Sequence, residues 1–178
     1  MDRWELLEIW IDAYMNRLLR VSFLYLQNKF DAEDCVQNTF LKAYAHMDQL
    51  HRLDNPFPWL TRITINESKQ FHRKQRREIL GNAPTLLEQE SAESAHLRDL
   101  RDRSVYYAVL ALPEKYRAPI ALFYFEELST QEIGQILGVN PATVRTQVSR
   151  GRRLLQKRLK EVGVDEFGSS VVESETST

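Results

Sequence analysis

The chain has 178 residues, 28% of them charged, a formal net charge of −1 and one cysteine, Cys35. That length accommodates one domain or two small ones, and a lone cysteine excludes an internal disulfide and a thiolate-based zinc site. No apolar run is long enough to span a bilayer, and the start MDRWELLEIW lacks the basic and apolar regions of a signal peptide, so a cytoplasmic location is expected without membrane insertion.

Nearly every patterned segment reads as helix, giving an all-α expectation. Trp4, Leu7, Ile11, Tyr14, Leu18, Val21 and Tyr25 recur at steps of three and four, as one long amphipathic helix requires. Asp31 is expected to cap a second helix with Val36, Phe40, Ala43, Met47 and Leu50 on its inner stripe. Asn55-Pro56-Phe57-Pro58 then breaks the chain, and Pro58 is expected to open a third helix through Trp59, Ile63 and Phe71 to Arg76-Arg77. From Glu78 to Glu93 the pattern fades into an acidic, Gly- and Pro-containing stretch with the composition of a linker. Order resumes with Leu97, Leu100, Tyr107 and Leu110. Leu112-Pro113 opens a further helix through Tyr116, Ile120 and Phe123, which Pro119 is expected to kink or to start late.

The segment from Leu128 to Leu159 carries the strongest signals. Ser129 with Glu132 three residues on has the spacing of a capping box, and Ile133, Ile136 and Leu137 follow at helical intervals. Gly138 supplies a turn, and Asn140-Pro141 is a second helix start. Val144, Val148, Gly151, Leu155 and Leu159 mark the inner face of that second helix. Arg145, Thr146, Ser149, Arg150, Arg152 and Arg153 are left outside. The pattern is a helix-turn-helix. Between Pro141 and Lys160 there is no acidic residue, whereas a merely solubilising face mixes both signs. The tail after Leu159 ends in GSSVVESETST and reads as disordered.

A second basic cluster holds Arg62, Lys69, Arg73, Lys74, Arg76 and Arg77, and acidic residues concentrate at Glu88, Glu90, Glu93, Glu173 and Glu175. Such asymmetry says more about partners than the near-zero sum. Arg62, Asn66, Gln70 and Arg73 share one side of the third helix, joining phosphate-binding with base-reading chemistry. Glu67 interrupts that helix and is expected to face solvent. On the second helix Asp34, Gln37, Asn38 and Leu41 lie away from the core stripe, a strip suited to docking on another protein's helices. Trp59 reads first as a core residue. His46, His51, His72 and His96 show no metal-ligand spacing, and no phosphate loop or nucleophile motif occurs, so neither an enzyme nor a cofactor is expected. Two rivals remain from the residues alone, a conventional dimeric helix-turn-helix regulator and a helical protein-binding adaptor.

With both basic regions placed, the sequence resembles the sigma-70 family of RNA polymerase sigma factors, of the extracytoplasmic-function (group four) type. Asp31 to Arg77 resembles region 2 and Leu112 to Leu159 resembles region 4. The resemblance implies two small helical domains, 1–77 and 97–160, joined by an acidic linker at 78–96 and followed by a tail at 161–178. It implies that Asp34, Gln37, Asn38, Phe40 and Leu41 bind core RNA polymerase at the clamp helices of its largest subunit, unless Phe40 only packs beneath. Asn55, Phe57, Arg62, Asn66, Gln70 and Arg73 would meet the −10 element, the loop from Leu53 to Phe57 holding a flipped base. Thr143, Arg145, Thr146, Ser149, Arg150 and Arg153 would meet the −35 element, Thr143 and the helix-start amides holding a phosphate. It also implies promoter DNA as a partner, and a dedicated anti-sigma factor of a kind often tethered to the membrane.

Overall fold

A computed structural model describes residues 2–47, 55–81 and 100–161, with backbone alone at 76–81 and 100–103. Among the described residues the elements are seven helices: α1 (Arg3–Leu26), α2 (Lys29–Ala45), α3 (Phe57–Gly81), α4 (Leu100–Leu110), α5 (Glu114–Tyr124), α6 (Thr130–Leu137) and α7 (Pro141–Glu161). No strand occurs among them, and no helix there is long and apolar enough to cross a membrane.

The boundaries follow local chemistry. Asp2 caps α1 by accepting from the Trp4 and Glu5 amides at 2.6 and 2.8 Å, while Glu5 returns a bond to the Asp2 amide, a capping box that the sequence reading passed over. Gln27 closes α1 in the left-handed region at φ 50°. Asn28, not Asp31, caps α2, because its Oδ1 accepts from the Asp31 amide at 3.1 Å. Asp31 therefore sits inside the first turn, where a carboxylate favours the helix dipole. Desolvation first, and then the neighbouring Asp34, push its pKa above the ordinary value. Helix α3 begins one residue before Pro58, with the Phe57 amide donating to Asn55 Oδ1 at 3.1 Å. It runs to Gly81, four residues beyond Arg77 and into the stretch expected to be linker. Helix α5 carries Pro119 in its interior and continues to Tyr124. The rest of the linker (82–96), Leu50, Leu53, His51, His96, Leu97, the tail from 162 and the Arg76 and Arg77 side chains lie outside the description.

Helices α1, α2 and α3 pack mutually into an N-terminal unit, and α4 to α7 form a C-terminal unit. Leu18, Val36, Ala43, Met47, Leu60 and Ile65 fill the first, with Phe40 at 4% exposure beneath the α2 surface. A chain of hydroxyl and thiol groups threads its middle. Ser22 and Ser68 lie 3.1 Å apart, Cys35 Sγ is 3.2 Å from Ser68 Oγ, and Thr64 donates to Thr39 at 3.2 Å. Thr39, Thr64 and Ser68 also bond to backbone carbonyls four residues back, so these buried polar groups are satisfied. Short side chains at that crossing bring α3 close to α1 and α2.

The C-terminal unit uses glycine for the same purpose. A Cβ on Gly151 would stand 2.6 Å from Ile120 Cγ1, and one on Gly134 would stand 2.7 Å from the Val139 carbonyl oxygen. Gly151 thus lets α7 lie against α5, and Gly134 lets the turn fold back on α6. The two units also touch, through α1 with α5 and α3 with α6, and their buried residues form one connected cluster.

Candidate nucleic-acid interface

The C-terminal surface is built by its caps. Ser129 Oγ accepts from the Glu132 amide at 3.2 Å, and Glu132 Oε2 accepts from the Ser129 amide at 2.8 Å, which sets the start of α6. Gly138 ends α6 in the left-handed region at φ 70°, where a side chain would strain the backbone. Two residues later Asn140 Oδ1 accepts from the Ala142 amide at 2.8 Å, and α7 begins at Pro141. Val144, Val148, Gly151, Leu155 and Leu159 are all buried, as the helical spacing predicts. Burial of that stripe turns Thr143, Arg145, Thr146, Arg150 and Arg153 to the outside, with Ser149 half-buried beside them. Thr146 donates its hydroxyl proton to the Ala142 carbonyl at 3.1 Å, which leaves its oxygen lone pairs and methyl outward. Lys115 and, to a lesser degree, Arg150 hydrogen-bond to the Tyr116 hydroxyl and lower its pKa from the ordinary value. The first turn of α7 has no acidic residue and its last turn carries Arg158 and Lys160. From Pro141 to Lys160 the charged groups on this helix are all positive.

The N-terminal surface centres on α3. Arg62, Asn66, Gln70 and Arg73 are exposed along one side, as their spacing requires. Glu67 does not stand free in solvent. Its side chain is 13% exposed and bonds Lys42 Nζ on α2 at 2.6 Å. That pairing offsets the one carboxylate within the basic stretch from Arg62 to Arg77. Lys42, His46, Trp59, Ile63, Asn66, Glu67 and Gln70 line one groove beside it. Lys42 and His46 were missed as candidates because they lie on α2 and at its C-cap, and only tertiary packing brings them to α3.

The residues around the start of α3 divide. Asn55 is exposed, but Phe57 is 1% exposed, with its ring 5.4 Å from Tyr14 and the Arg17 guanidinium 3.5 Å over it. Phe57 is thus a core residue and not a surface platform for a base. The apolar neighbours explain it, since an aromatic at the first position of an amphipathic helix turns inward when an aromatic partner waits there. Trp59 packs against the core with its ring edge-on to Trp10 at 6.4 Å.

On α2, Asp34, Gln37, Asn38 and Leu41 are exposed, Leu41 at 67%, while Phe40 packs beneath them. Cys35 is buried and desolvation raises its thiol pKa, which makes it unreactive. Among the described residues no group of His, Cys, Asp and Glu could hold a metal ion.

A family model described as sigma-70 region 2 matches residues 10–78, and one described as sigma-70, region 4 matches residues 102–155. The chain is 30% identical over 168 residues to the ECF RNA polymerase sigma factor SigW of Bacillus subtilis, covering 85% of this chain and 88% of that one. It is 30% identical over 158 residues to SigM of the same organism, covering 86% and 94%. Among solved structures it is similar to the sigma factor RpoE in complex with the anti-sigma factor NepR from Bartonella quintana, with a TM-score of 0.75 and 27% identity over 86% of this chain and 96% of that one. The structure of CnrH in complex with the cytosolic domain of CnrY shares the fold, with a TM-score of 0.62 and 22% identity over 87% and 88%.

Proposed function

The chain belongs to the sigma-70 family, as an extracytoplasmic-function sigma factor that directs transcription initiation, and we propose that it reads promoters at two points with a division of labour between its units. The presence of region 2 beside region 4 excludes the dimeric regulator, which needs one reading domain alone. Sigma factors are non-enzymatic, and the chemistry of initiation belongs to the polymerase that they join.

In this reading α7 enters the major groove at the −35 element, with Arg145, Thr146, Ser149 and Arg150 toward base edges and Thr143 and Arg153 toward phosphates. The observation that carries it is the exposed face of α7 from Thr143 to Lys160, which bears no acidic residue and is oriented by the cap at Asn140 and the buried stripe from Val144 to Leu159. Arg62, Asn66, Gln70 and Arg73 serve the −10 element with Asn55, and Phe57 supports that surface from below. Asp34, Gln37, Asn38 and Leu41 dock on the clamp helices of core RNA polymerase, over Phe40. The apolar Leu41 among uncharged polar groups suits a helix–helix contact. An anti-sigma factor is the further partner that this reading supports, by analogy with the NepR complex.

Transcription by core polymerase from a promoter pool, with and without the chain, tests the reading. Stimulation is expected from a subset of promoters. Arg150→Ala should lower selection at the −35 end by about 1–3 kcal/mol, the worth of one bidentate base contact, with core binding unchanged. Equal loss of core binding would sink the division of labour.

A further inference from the structure

The two reading surfaces are not independent in this conformation. Glu126, which follows α5, is 3% exposed and reaches across to α1. Its carboxylate receives Arg17 Nε at 2.7 Å and Arg20 Nη2 at 3.0 Å, and its carbonyl receives Arg17 Nη2 at 3.1 Å. Two more bonds cross the same seam. Tyr106 donates to the Arg20 carbonyl at 3.3 Å, and Arg117 donates to the Leu24 carbonyl at 2.8 Å. Burial between the units raises the pKa of both Tyr25 and Tyr106.

This seam sets the C-terminal unit across a cleft from the DNA-reading side of α3, whose Asn66, Lys69, Gln70 and Arg73 stay exposed to solvent there. Asn66, Lys69, Gln70 and Arg73 line a cleft of about 420 Å³ with Tyr25 and the carboxylate-bearing Glu114 of α5. Lys69 and Tyr25 also line a second cleft with Pro119, Leu137, Val139 and Gln147, the last from the reading helix α7 itself. A space of that size holds no duplex, and a carboxylate across from Asn66 and Arg73 repels the phosphates that those residues would bind. Arg17 extends the seam to the start of α3, because the guanidinium held by Glu126 is the one lying over Phe57, two residues from Asn55.

We propose that Glu126, gripped by Arg17 and Arg20, is a latch built into the chain that holds the two units closed and keeps the α3 surface from DNA until the seam opens. A buried carboxylate suits the task. Paired it is stable, and separated from both arginines it must return to water, so the seam has two discrete states and few between. The closed state requires no second protein. An interaction with core polymerase that favours the open state would release the α3 surface.

The latch is separate from the assignment of promoter contacts, though its effect on DNA rests on α3 being a DNA surface. Glu126→Gln and Arg20→Ala weaken it from opposite sides of the seam, and circular dichroism checks that each full-length variant is folded. Small-angle scattering should show a larger radius of gyration for both variants than for the parent chain. Affinity for mixed-sequence single-stranded and duplex DNA without polymerase should rise about tenfold, the gain expected when a minor open state becomes the major one. An unchanged radius in both folded variants overturns the latch. Expansion without any gain in DNA affinity overturns the masking of α3. Stimulation of core polymerase by the parent chain is scored apart, so a failure of the sigma reading is distinguishable from a failure of the latch.

Discussion

The N-terminal and C-terminal units solve one packing problem with different chemistry. Where helices cross closely in the first, Ser22, Cys35, Thr39, Thr64 and Ser68 line the contact, and each hydroxyl there finds a partner. Where α7 crosses α5 in the second, Gly151 removes the side chain altogether, and the surroundings are Ile120 and the Tyr116 Cβ. A polar crossing is directional, so it fixes how α3 is rotated over α1 and α2 and hence which of its residues face outward. An apolar crossing at glycine fixes distance more than rotation, and the caps at Ser129 and Asn140 supply the orientation instead. The difference teaches that one proposed reading surface is set by tertiary hydrogen bonds and the other by local turns.

Matched core truncations test this contrast most severely. Leu18→Ala and Leu155→Ala remove fully buried side chains and should each cost about 2–5 kcal/mol. Buried Cys35 reports on the N-terminal unit alone. Its labelling by a thiol reagent on heating should advance with Leu18→Ala and hold nearly unchanged with Leu155→Ala, while helicity melts earlier in both. Equal advance in the two variants would mean that the units unfold together and would erase the comparison.

The crossings come next. Ser68→Ala removes the hydroxyl that Ser22 bonds and one partner of Cys35, which keeps the Thr64 carbonyl, and should cost about 1–3 kcal/mol by denaturant titration. Gly151→Val should cost about 1–3 kcal/mol by overpacking against Ile120 and Tyr116. The polar defect should loosen protection of Cys35 and the steric one should not. A Gly151→Val chain as stable as the parent would show that α7 shifts away at no cost.

Smallest are the caps. Ser129→Ala and Asn28→Ala each remove an acceptor for an otherwise unpaired amide and should cost about 1 kcal/mol. Ser129→Ala should also weaken duplex binding by the C-terminal unit, because α6 carries the turn that aims α7. Asn28→Ala should leave DNA binding unaltered. A loss of DNA binding from Asn28→Ala would break the claim that only the C-terminal surface depends on its caps.

How much was legible follows the same line. The capping box at Ser129, the turn at Gly138, the start at Asn140 and the buried stripe from Val144 to Leu159 are short-range signals, and the structure contains them all. In the N-terminal unit the helices were legible and the details were not. Asp31 looked like a cap because its residue type suits one, but Asn28 three residues earlier makes the bond. Phe57 looked available beside two prolines, and Tyr14 and Arg17 bury it from a helix forty residues away. Glu67 looked solvent-facing, and Lys42 from α2 covers it. The misses at Phe57 and Glu67 concern contacts between helices distant in sequence, whereas the cap at Asn28 is a choice between two neighbouring residues of similar capping chemistry.

The sequence by itself determined the helices of each unit, the inner stripe of α7 and the charge segregation that marks a DNA surface, because period, capping and composition act over a few residues. Tertiary structure alone decided the paired state of Glu67, the burial of Phe57 and the joining of Arg17 and Arg20 to Glu126. Those outcomes depend on which faces meet across the fold, and a side chain's charge or size says nothing of what will stand opposite it until the helices have packed.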